Sequence, residues 1–131
     1  MKIIIRGQSA IEFVIIVSSV LFVFTAMVIS VQYQISDKNK EKINLAVMEI
    51  ALTVQDEINI ASSTIDGYER EFEIPEKIVN KEYEVNITDG TVYVRTNDGR
   101  FGLSLPVLEV TGDVVKRTNK IRKVNGEVIL N

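Results

Sequence analysis

From Phe13 to Ser36 the chain carries no charged side chain. The centre of this run reads FVIIVSSVLFVFTAMVISV and is apolar on every face of a helix, not along one stripe. About 20 apolar residues, each rising about 1.5 Å, cross a hydrocarbon layer of roughly 30 Å. The run therefore predicts a membrane-spanning helix. A helix buried in a soluble core is the plain alternative, but a small domain has little interior in which to hide so long an apolar cylinder. A secretory signal would have a shorter apolar core followed by a small-x-small cleavage site. Here Val31-Gln32-Tyr33-Gln34 follows, so the segment is expected to be retained.

Beyond this run the pattern changes to a helical stripe. Ile43, Val47, Ile50, Ala51, Val54 and Ile58 recur at spacings of three and four, while Lys42, Glu49, Gln55, Asp56 and Asn59 occupy the other positions. No Pro or Gly interrupts Gln8 to Asp66. One helix from about Ile11 to Ala61 would be roughly 75 Å long. The polar stretch Gln32 to Lys42 offers a rival arrangement, with Ser36-Asp37 as a fresh N-cap and two separate helices. Ser62, Ser63 and Thr64 weaken the helix, and Gly67 is a suitable terminator.

From Tyr68 the period becomes two. Glu69–Ile74 alternates, and so does Tyr83–Ile87. Asp89-Gly90 then predicts a two-residue hairpin turn into Val92–Val94, and Asn97-Asp98-Gly99 turns the chain into Phe101–Leu105. Pro106 ends that strand or places it at an edge. Val107–Val110 and Val114-Val115 are candidate short pieces, and Asn125-Gly126 sets a last hairpin between Lys120–Val124 and Glu127–Leu130. The expected fold class is α+β. A long N-terminal helix, with a membrane half and an amphipathic half, is packed by a small head of five or six antiparallel strands.

Composition narrows the chemistry. The 131 residues contain no Cys and no His, which removes thiol nucleophiles, disulfides, thiolate metal sites and the commonest general base. The net charge of -3 gives no basic footprint for nucleic acid. No phosphate loop or dinucleotide fingerprint is present, and the strand Glu residues alternate as on a solvated sheet face. No enzyme and no cofactor are expected.

The residues before the apolar run are Arg6-Gly7-Gln8-Ser9-Ala10-Ile11-Glu12-Phe13. A carboxylate at the lip of a membrane helix is costly without a partner, although the first turn of a helix also favours negative charge among head groups. A short basic leader, a Gly, a Gln, a Glu five residues after the Gly and a long apolar helix together resemble the precursors of type IV pilin-like proteins. The pattern is most similar to archaeal pilins with a class III signal peptide. The resemblance covers residues 6 to 13 closely and the following helix in general character. It implies cleavage between Gly7 and Gln8 by a prepilin peptidase, with the apolar helix kept on the mature chain. It also implies that Glu12 pairs with the N-terminal amine of a neighbouring subunit during filament assembly. The chemistry suits such a bundle, because two charges in a low dielectric are each costly and attract strongly once adjacent. Gly7 suits a peptidase cleft, and Lys2 and Arg6 favour a cytoplasmic leader.

On this reading residues 1–7 are a cleaved leader, 8–36 a transmembrane and filament-core helix, 37–66 its amphipathic continuation and 67–131 the head. The connector Pro75–Asn80 before a Tyr-containing strand is similar to archaeal pilin heads. The implied function is a structural subunit of a surface filament, membrane-bound as a precursor and extracellular once assembled. Its partners would be the peptidase, the membrane and other pilin subunits. A minor pilin, a tight-adherence-type pseudopilin and an uncleaved single-span protein with a binding head remain alternatives.

Three further features carry candidate chemistry. Asn86-Ile87-Thr88 is an N-glycosylation sequon, so Asn86 is a candidate modification site, against the plain reading of a strand-end Asn. Asp89 and Asp98 lack the alternating ligand series of a calcium loop and are expected to serve turns. Lys116, Arg117, Lys120, Arg122 and Lys123 concentrate positive charge, and residues 56–84 concentrate acids. These are either solvated faces or surfaces through which successive heads meet.

Overall fold

The computed structural model describes residues 3–131, with side chains from Gln8 onward. Lys2 and the surroundings of leader residues up to Gly7 therefore lie outside the described residues. Helix α1 spans Ile3–Ser63. It runs through Ser36–Asn39 without a break, so the rival arrangement with a second N-cap does not form. The reason is local: Lys, Glu and Gln fill the polar stretch, and these straight-chain residues continue a helix at little entropic cost.

The chain divides into two compact units, Met1–Asn39 and Lys40–Asn131. In the first, the large apolar side chains from Ile11 to Ile35 are exposed. Helix α1 is long and apolar enough to cross a membrane, and none of its most apolar window is buried.

In the second unit, the sequence stripe is the buried face of the helix. Ile43, Val47, Ile50, Ala51, Val54, Ile58 and also Ala61 join one hydrophobic core. Seven strands follow among the described residues: β1 (Glu69–Ile74), β2 (Tyr83–Thr88), β3 (Thr91–Thr96), β4 (Gly102–Pro106), β5 (Val110–Thr111), β6 (Arg117–Val124) and β7 (Glu127–Leu130). They form two sheets, not one: a four-stranded sheet ordered β1-β6-β7-β5 and a three-stranded meander β2-β3-β4. The expectation of a wholly antiparallel head is also corrected, because β5 pairs parallel with β7. The short connection from β4 leads into Val110–Thr111, which lies beside the final strand and runs in the same direction.

Alternation decides which side chains enter the core. Phe72 and Ile74 of β1, Tyr83 and Val85 of β2, Val92 and Val94 of β3, Ile121 of β6, and Val128 and Leu130 of β7 point inward. The two tight hairpins form as their residues dictate. Asp89 and Gly90 have φ of 51° and 67°, and Asn125 and Gly126 have 52° and 85°. These are the left-handed pairs that a type I′ turn needs.

Candidate functional site

The leader junction and the start of the apolar helix carry the strongest sequence signal. Glu12 is exposed on α1, between the exposed side chains of Ile11 and Phe13, and makes no ion pair among the described residues. Gln8 is also exposed on the helix. Ser19 and Thr25 return their hydroxyls to carbonyls four residues back, donating to Ile15 and Leu21 at 2.8 Å. Their polarity is thus satisfied within the helix, which allows them to face an apolar medium.

On the head, the outer face of the meander is a regular grid. Register places Glu84, Arg95 and Gly102 in one row, and Asn86, Tyr93 and Ser104 in the next. These six residues line a shallow groove of about 420 Å³. Tyr93 is 48% exposed, and Arg95 reaches Glu84 at 3.7 Å. The side-chain amide of Asn86 and the hydroxyls of Tyr93 and Ser104 have no hydrogen-bond partner among the described residues. Thr88 is exposed on the same face, two residues beyond Asn86.

The basic segment does not form a separate face. Strand β6 lies against the acidic strand β1, and three of the five cations meet acids of β1 or of the connector that follows it. Lys120 pairs with Glu69 at 2.7 Å, Arg117 with Glu76 at 2.9 Å and Lys116 with Glu82 at 3.1 Å. Lys116 also sits 5.0 Å above the Tyr83 ring. Of the five, Arg122 and Lys123 make no ion pair among the described residues. Lys77 and Lys116 together hold the Glu82 carboxyl below its usual range.

Lys123 has a role that charge counting missed. It points inward and donates to the carbonyls of Ser62 at 2.6 Å and Thr64 at 2.8 Å, at the end of α1. A cation there completes orphan carbonyls and meets the negative end of the helix dipole.

Asp89 and Asp98 serve turns. Asp98 accepts from the Thr96 hydroxyl at 2.6 Å and the Arg100 amide at 3.1 Å and pairs with Lys81. The Lys81 ammonium, followed by these hydrogen bonds, holds its carboxyl well below the usual range. No group of His, Cys, Asp or Glu among the described residues could hold a metal ion.

Two buried polar residues were invisible to pattern reading. Asn119 accepts from the Val115 amide and donates to the Val115 carbonyl, both at 2.7 Å. Glu57 is buried on α1, 3.6 Å from Arg70, and its Oε2 has no partner. Helical periodicity gives Glu57 the inward angle next to Ile58, but its charge argued for the outside.

No protein family, curated protein or solved structure matches this chain.

Proposed function

We propose that the chain is the precursor of a structural subunit of an archaeal type IV pilus-like surface filament. Prepilin peptidase cuts between Gly7 and Gln8, and the apolar part of α1 then passes from lipid into a bundle of equivalent helices. The carrying observation is Glu12, five residues after Gly7 and exposed at the start of a charge-free, exposed helical run. A lone carboxylate in that position calls for a cationic partner once the helix leaves head groups for an apolar bundle. The new N-terminus at Gln8 supplies that partner in a neighbouring subunit.

Further support comes from the second part of α1, whose buried stripe makes the helix part of the head's own core. A head built on its anchor is suited to a subunit that must carry its fold into an assembly. The reading assigns the chain no catalysis, no cofactor and no nucleic-acid partner. Its partners are the peptidase, the membrane and other subunits.

Two substitutions in the native host test this. Gly7→Val should leave a full-length, membrane-held chain and no fibres. Glu12→Ala should be cut normally yet enter fibres poorly or not at all. Unchanged size and normal fibres from Gly7→Val would remove the filament reading and favour an uncleaved single-span protein. Intact mass of the mature chain checks the amine. A loss of one ammonia would mean that Gln8 has cyclised and cannot pair with Glu12.

A further inference from the structure

The groove on the meander and the sequon are one place. Asn86 forms one wall of the groove, and its register partner across the β2–β3 pair is Tyr93. Directly opposed residues hold their Cβ atoms about 5 Å apart on the same face. Tyr93 is the most exposed aromatic residue of the head among the described residues, with about half its surface open; Phe72 and Tyr83 are buried, and Tyr68 and Phe101 are partly covered. An aromatic residue left half-open at the centre of a sheet face loses part of the burial that normally accompanies it. Around it stand an amide, a hydroxyl, a carboxylate and a guanidinium, with Gly102 keeping one corner low. Arg95 lies over that corner: a Cβ at Gly102 would sit 3.4 Å from its Cγ.

We propose that Asn86 carries an N-linked glycan whose first sugar lies flat on the Tyr93 ring within this groove. The apolar C–H face of a pyranose covers the ring. Its hydroxyls reach Ser104 on one side and the Glu84–Arg95 pair on the other, groups that offer both acceptors and donors. The linkage forms between Asn86 Nδ2 and C1 of the sugar. The C1–O bond to a lipid-phosphate carrier breaks, the amide gives up one proton, and the carrier leaves as its phosphate. Asn86 is exposed and its Nδ2 has no hydrogen bond among the described residues, and Thr88 completes the sequon on the same exposed face. The glycan makes the outer meander a covered surface. The inference rests on the head leaving the cytoplasm, as the filament reading requires.

The test uses the full chain purified from its native host. Peptide mass spectrometry should find a saccharide on Asn86. Nuclear magnetic resonance of the intact glycoprotein should show protons of the first sugar shifted upfield by the Tyr93 ring current. Tyr93→Leu, which keeps a strand-compatible apolar residue, should leave the saccharide attached and abolish the upfield shift. Thermal unfolding should show a larger coupling between Asn86→Gln and Tyr93→Leu in native-host protein than in protein made where no N-glycosylation occurs, where only their direct cross-strand contact remains.

A bare Asn86 overturns the proposal, as does a glycan whose protons show no dependence on Tyr93. The same spectra report the N-terminus, which keeps the two readings apart. A chain that starts at Gln8 with a bare Asn86 sinks this inference alone. An uncut chain with a sugar stacked on Tyr93 upholds it and sinks the filament reading.

Discussion

Lys123→Met, set beside Arg122→Met, asks whether the head depends on its charges as a surface or as specific bonds. The two residues are neighbours on β6 and face opposite ways. Arg122 is exposed and has no ion pair, so its loss should change stability by less than about 0.5 kcal/mol. Lys123 donates to two carbonyls at the end of α1. A hydrogen bond to a charged group contributes roughly 1.5–3 kcal/mol, and a cation at a helix C-terminus roughly 0.3–1 kcal/mol more. Ser62 and Thr64 are only half-buried, so water recovers part of what Met removes, and the freed side chain regains rotamer entropy. The expected loss is therefore about 2 kcal/mol, at the low end of the combined range. For a unit of this size that lowers Tm by roughly 10 °C. Urea unfolding of the full chain in detergent, followed by the tyrosine signal of the head, measures it; the slope against denaturant should not change. If both variants lose the same stability, or Lys123→Met loses less than about 0.5 kcal/mol, Lys123 is an ordinary surface cation and the capping reasoning is wrong.

Three further outcomes are expected. Val79 has φ of 46° in the tight turn between Ile78 and Lys81, where a β-branched residue is strained, so Val79→Asn should stabilise the head by about 1 kcal/mol in the same unfolding assay. Gly112 has φ of 103°, and a Cβ there would lie 1.9 Å from the Leu130 carbonyl oxygen; Gly112→Ala should part β5 from β7 and cost at least about 2 kcal/mol by urea unfolding. Burial pushes the Tyr83 phenol from 10.0 up to about 12, so the fold favours its neutral form; that stability is complete below pH 10 and is lost as pH rises from 10 towards 12. Tyr83→Phe should flatten this alkaline loss, at the cost of the bond the phenol donates to the Pro75 carbonyl.

Where a single rule governed an element, the sequence revealed it. The charge-free run, the stripe from Ile43 to Ile58, and the Asp89-Gly90 and Asn125-Gly126 turns all follow from local periodicity or from backbone freedom. Strand partnership was not legible. Alternation says which side of Glu69–Ile74 faces in, but not that its partner is β6 and not β2, since either pairing buries Phe72 and Ile74. For the same reason the acidic and basic segments looked like two surfaces until the register of β1 and β6 brought them together. The parallel pairing of β5 with β7 joins strands with the whole of β6 between them in the chain, and it leaves no local trace. At the candidate sites, the sequon was plain while its aromatic partner was not. Asn86 and Tyr93 become neighbours only through the hairpin register.

The strand order β1-β6-β7-β5 has a consequence in time. The meander closes through short turns and finds all its strand partners within itself, so it can form early. The larger sheet cannot. Its two inner positions belong to β6 and β7, the last strands along the described chain, and β1 has no sheet partner until β6 arrives. Lys123, which seals the end of α1, arrives with them. A ribosome that stalls before Arg117 therefore leaves a head without its centre, not one missing an edge. Such a product exposes β1 and the buried stripe of α1 to proteases, so incomplete chains are open to removal as they are made.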